Sequence, residues 1–254
     1  MRTRNTALAL AAGAALLVPA PMSAAAFPER SEASHNSAQV PMSAPPPPRV
    51  SRASRAPGEG TVPAAALLAK AAASCEQVSR GKYRTDDGAA ETIPVCGKRG
   101  AVHWTADMDI DCDGRPSPAC NKRTDPLFQN TTAFQESTGR QLSAEWLPYI
   151  VVPGASSRWN HTEHGITGGS VAAVIHGDKV LYAVVGDTGP TELIGEASYA
   201  AAKALGIRPD PGTGGTDSGV TYIVFDGPKA SPIEDHRAAV ARGDELARQF
   251  LTQN

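Results

Sequence analysis

Short apolar runs, each ended by Gly, Pro or Asp, recur through the middle of this chain: AVHWTADMDI at 101–110, LPYIVVP at 147–153, SVAAVIH at 170–176, KVLYAVV at 179–185 and VTYIVFD at 220–226. Their length and their β-branched and aromatic content predict strands. Gly177-Asp178 separates two of them and predicts a hairpin turn. Helical spacing appears three times. PAAALLAKAAASCEQV at 63–78 predicts an opening helix with Pro63 at its first position and Leu67 and Leu68 toward the core. In EASYAAAKALGI, Ala197, Ala200, Ala201, Ala204 and Leu205 form one apolar face that Gly206 ends, so a helix is expected to begin at Glu196. In the last, Ser231 and Glu234 stand at capping-box spacing, Pro232 falls in the first turn, and Val240, Leu246, Phe250 and Leu251 make the buried stripe. Short strands with helices at their margins predict a mainly β fold.

The first 62 residues have a different pattern. Arg2 and Arg4 precede the apolar ALALAAGAALLVPA, and Ala24-Ala25-Ala26 offers a cleavage site before Phe27. Residues 1–26 therefore read as a secretory signal peptide. The apolar run is short for a membrane span and Pro19 and Pro21 interrupt it, so no membrane attachment is expected after cleavage. Residues 27–62 are rich in Pro, Ser and Ala and read as a disordered spacer. The folded domain is then 63–254 of a secreted, extracellular protein.

Setting aside the six basic and three acidic residues of 1–62 from totals of 24 and 26 leaves 18 basic against 23 acidic side chains, a net of −5 for the domain. That excess disfavours nucleic acid and suits a cationic substrate. Cys75, Cys96, Cys112 and Cys120 contain no CxxC pair, so disulfides are expected rather than a metal centre. Three connectivities are possible; proximity in sequence favours Cys75 with Cys96 and Cys112 with Cys120.

Two carboxylates carry the main chemical signal. Asp187 ends the run LYAVVG and Glu196 follows nine residues later across a Gly/Pro loop, so their carboxyls can come within the roughly 6.5–9.5 Å that an inverting glycoside hydrolase uses. An apolar run before Asp187 and a helix start at Glu196 would raise the first pKa and lower the second, which makes Asp187 the expected acid. A second cluster, DMDIDCDG, places Asp107, Asp109, Asp111 and Asp113 on one strand face. It matches the start of an EF-hand loop, but Cys120 stands where the twelfth-position Glu should be. A surface acidic strip, a subsite for a cationic ligand and a calcium site are the competing readings. His161, Glu163 and His164 lack the i, i+4 histidine spacing of a helical zinc site, and His103, His176 and His236 read as structural or solvent-facing. Phosphate-binding loops, dinucleotide fingerprints and G-x-S-x-G elbows are absent, so no cofactor is expected and nucleotide-dependent or serine-hydrolase chemistry is excluded.

In order along the chain, MDIDCDG, TTAFQ, LPYIVVP, HG, GDTGP, IGEAS and GVTYIVF resemble the fungal-type chitosanases of glycoside hydrolase family 75, from about Cys75 to Phe225. The resemblance implies an endo-acting, inverting enzyme acting on chitosan, with Asp187 and Glu196 as the catalytic pair. Asp109, Asp111, Asp113, Trp104, Tyr149 and His164 become candidates for substrate binding or support, and a monomer is expected. GDTGP followed by a helix and GVTY is also similar to the double-psi β-barrels of expansins, which implies a six-stranded barrel. A peptidoglycan-active glycanase and a non-catalytic, expansin-like wall-binding protein are the alternatives.

Overall fold

The computed structural model describes residues 58–254. The signal-peptide expectation, and the spacer up to residue 57, lie outside the described residues. Within them the strands are β1 Glu76–Gln77, β2 Cys96–Lys98, β3 Ala101–Asp111, β4 Tyr149–Pro153, β5 Val171–His176, β6 Lys179–Gly189, β7 Glu196–Ser198 and β8 Thr216–Phe225; the five expected strands form, and β1, β2 and β7 are three additions. The helices are α1 Ala64–Ala72, α2 Tyr199–Leu205 and α3 His236–Gln253.

Six strands close a ring in the order β3-β7-β4-β6-β5-β8, with β8 returning to β3. The barrel is mixed, since β3–β7 and β4–β6 are parallel and the other four pairings antiparallel. Two long strands make closure possible. One edge of β3 serves β2 near Ala101 and β7 near Asp109, while its other edge pairs with β8. The β5–β6 hairpin turns at Gly177-Asp178 as expected, with Gly177 at φ 61°.

Strand alternation divides the apolar side chains into two cores. Tyr149, Val151, Ala173, Tyr182 and Phe225 share one with α1, α3 and the segment between β3 and β4. Trp104, Met108, Ile150, Val174, Val185 and Tyr222 form the other, to which α2 adds Ala201, Ala202 and Leu205. The disulfides are Cys75–Cys96, which fastens the turn after α1 to β2, and Cys112–Cys120, which closes a loop directly after β3.

Four local expectations are corrected. Residues 58–62, assigned to the spacer, pack on the barrel: Gly58 bridges Val180, Glu59 meets Tyr182 N–H and His236, and the Asp244 carboxylate accepts from Thr61. The first helix ends at Ala72 and Pro63 is its N-cap residue, because the disulfide and the β1–β2 pairing hold Cys75–Gln77 extended. Asp235 rather than Ser231 caps α3, accepting from Arg237 and Ala238 N–H, while Glu234 bonds Ser137 across the surface. Finally, Glu196 does not begin a helix. Residues 196–198 pair with β3 and β4, and Ser198 caps α2 by accepting from Ala201 N–H.

Candidate active site

The last correction moves Glu196 into the barrel wall and sets the site. Glu196 pairs in register with Asp109 on β3 and with Val151 on β4, and Val151 pairs with Asp187 on β6. Side chains at paired positions share a face, so Asp109, Glu196, Val151 and Asp187 stand on one rung across four strands. Glu196 and Asp187 are two strand spacings apart, about 9.5 Å between backbones. Asp111 lies one step along β3, paired with Ser198, on the same face.

The environments of the two carboxyls differ in the opposite sense to the sequence expectation. Asp187 Oδ1 accepts the N–H of Thr188 and, from the segment between β3 and β4, the N–H of Ala133, both at 2.7 Å. Burial raises its pKa, and these two bonds hold the rise down. Glu196 has no helix terminus to stabilise its charge. Burial first, then repulsion from Asp111, Asp109, Asp113 and Asp187, pushes it well above the usual carboxylate range. Glu196 is thus the better proton reservoir and Asp187 the better anion.

Gly189 keeps the space beside Glu196 open: a Cβ there would lie 3.1 Å from Val151 Cγ1 and 3.4 Å from Glu196 Oε2. The neighbouring carboxyls are graded by cover. Asp111 is buried and is pushed up to about 8, chiefly by desolvation against the opposing bond from Asp113 N–H. Asp113, half-buried, rises to about 6 for the same first reason, and its Oδ1 accepts from Gln129 N–H at 2.6 Å. The Tyr149 hydroxyl donates to Asp113 O at 3.1 Å and its own pKa is raised by burial.

Six of the eight residues singled out in the sequence are therefore gathered: Asp187, Glu196, Asp109, Asp111, Asp113 and Tyr149. Trp104 is not among them. Only 1% exposed, it stacks on Tyr222 at 5.4 Å within the core that also holds α2. His164 is also elsewhere, with Ser74, Lys98, Arg99 and Ala101 in a groove of about 990 Å³. That groove lies at the start of β3, about 25 Å along the strand from Asp109. Sequence reasoning missed the Ala133 amide, Gly189 and Gly195; a backbone donor and two glycines leave no charge pattern to notice.

The comparisons with known proteins converge on one family. The family profile described as fungal chitosanase of glycosyl hydrolase group 75 matches residues 108–250. The chain belongs to this chitosanase family. Endo-chitosanase C of Aspergillus oryzae is 32% identical over 179 residues, covering 67% of this chain and 44% of the relative. Endo-chitosanase B of Aspergillus oryzae (strain ATCC 42149 / RIB 40) is 35% identical over 133 residues, covering 49% and 55%. An endo-chitosanase of Aspergillus fumigatus is 30% identical over 141 residues, covering 50% and 59%. The chain thus spans about half the length of these chitosanase relatives. The matched segment of the family includes the whole rung of Asp109, Glu196, Val151 and Asp187.

Proposed function

We propose that this chain is an endo-acting chitosanase that hydrolyses β-1,4 linkages of chitosan with inversion, using Glu196 as general acid and Asp187 as general base. The observation that carries the reading is the shared rung: two carboxyls of unlike acidity two strand spacings apart, with Val151 between them. Glu196 gives its proton to the glycosidic oxygen as the C1–O bond breaks. A water held by Asp187 attacks C1 from the opposite face and passes its proton to Asp187. Exchange with solvent then returns each group to its starting state.

Chitosan is a polycation, and a face bearing five carboxyls fits it. Asp109 and Asp113 reach solvent and are the contacts proposed for glucosaminium groups, while Asp111 and Tyr149, both buried, support that surface from beneath. Secretion under a leader at 1–26, a Pro-rich spacer beyond it and action as a monomer complete the proposal. The test is digestion of partly acetylated chitosan followed by NMR of the first products. The α-anomer at the new reducing ends is expected; the β-anomer would replace Asp187 as base with a nucleophile. Reducing ends from purified cell wall but not from chitosan would give the activity to peptidoglycan instead.

A further inference from the structure

A second acidic constellation shares Asp109 with the rung, and its other two members take no part in the mechanism above. Asp86, from the loop before β2, brings a carboxylate oxygen within 4.8 Å of one from Asp107 and one from Asp109, and the latter two are equally close to each other. Oxygens bound to one calcium ion at about 2.4 Å can be at most about 4.8 Å apart, so the three can share a coordination sphere.

Asp107 separates this cluster from an ordinary acidic surface. It is only 4% exposed, and its Oδ1 is buried with no hydrogen-bond partner. The β3–β8 register shifts between Ala106 and Met108, so Asp107 sits at an irregularity of the ladder. Gly195 fits closely beside it: a Cβ at that position would come within 1.9 Å of Asp107 Oδ1. The charges acting most on Asp107 are Asp109, Asp86 and Asp217, all acidic. Asp107 thus combines a buried oxygen that has no donor with a carboxylate set close to two others, an arrangement that a positive partner would stabilise.

We propose that Asp86, Asp107 and Asp109 bind one calcium ion at the mouth of the barrel, adjacent to Glu196. Three carboxylates from a loop and a strand suit a hard cation of flexible coordination, and the exposed sides of Asp86 and Asp109 leave room for water to complete the shell. The sequence leaves a calcium site as one reading of DMDIDCDG through Asp109, Asp111 and Asp113; the cluster that forms instead joins Asp109 to Asp107 and Asp86. Asp86 and Asp107 lie outside the 108–250 segment that the family profile covers. The site is formed without substrate; it shares Asp109 with the proposed glucosaminium contacts, and its test reads cation binding rather than hydrolysis.

The test uses the full chain stripped with chelator, then titrated with CaCl2 in calorimetry and in thermal melts at constant ionic strength. One equivalent is expected to bind. At about ten times a millimolar-range dissociation constant, Tm should rise by about 3–6 °C. Asp107→Asn and the exposed Asp86→Ala should each abolish most of that shift; because Asp86 is at the surface, its variant remains informative if Asp107→Asn fails to fold. A Tm rise matched by NaCl, or retained in full by Asp86→Ala, overturns the proposal. A rise produced by glucosamine hydrochloride but not by CaCl2 also overturns it and makes the cluster a seat for the ammonium of the sugar.

Discussion

Replacing Glu196 by Gln should damage activity and stabilise the fold, and the second effect should vanish in acid. The carboxyl is held among Asp111, Asp109, Asp113 and Asp187, and burial and repulsion keep its proton on to a higher pH than in the unfolded chain, where the value is near 4.5. The unfolded state therefore binds fewer protons, and folding stability falls as pH rises above that value. While it keeps its proton, the carboxyl costs folding about 1.4 kcal/mol for each pH unit above that value, less what the neighbouring acids recover by readjusting. Removing the ionisable group should therefore gain about 2 kcal/mol, the upper range of single stabilising substitutions. Gln has nearly the same shape and no proton to lose. In chelator, so that no bound cation offsets the cluster, Glu196→Gln should melt about 4–8 °C above wild type at pH 7.5 and within about 1 °C of it at pH 4.5. The same variant should lose roughly 10²–10⁴ in kcat on chitosan. A variant Tm at or below wild type at pH 7.5, or an equal difference at both pH values, would refute the account of a proton held in place by its surroundings.

Asp187→Asn keeps an oxygen that can accept from Ala133 and Thr188 N–H, so its melting temperature should stay near wild type while turnover falls roughly 10²–10⁴; reducing-end release near the wild-type rate would remove Asp187 from the reaction. Gly195→Ala is expected to destabilise the protein by about 2–4 kcal/mol in urea unfolding, since φ is +118° there and the new Cβ would strike Asp107 Oδ1. Unchanged stability would show that β7 can shift away from β3.

The strands were legible in the sequence because their alternation and bounding Gly and Pro report local geometry directly, and the hairpin at Gly177-Asp178 and the Gly206 helix stop follow from the same signals. Closure into a barrel came only through resemblance. What failed did so where a long-range partner outbid a local preference. EASYAAAKALG carries a true helical face from Tyr199 onward, but three residues at its head complete a ladder between β3 and β4, and Ser198 marks the change with its side-chain cap. Glu234 has the spacing of a capping box and instead meets Ser137. Trp104 is an aromatic near acidic residues in sequence, but its side chain packs on Tyr222 and Trp159 while the acids line another face. The Asp86 contact joins a loop and a strand about twenty residues apart, and no local pattern announces it.

The Ala133 amide links the barrel to the segment that covers it. The barrel wall alone supplies Glu196, Asp109 and Asp111, but the state of Asp187 depends on a donor from a connection pinned by the Cys112–Cys120 bridge. If that connection lifts, Asp187 loses one of its two backbone donors and becomes easier to protonate, so the proposed base is switched off without any movement of the strands. Hydrogen exchange at this single amide therefore reports how often the site is assembled, and catalytic competence becomes a property of loop docking on a rigid frame.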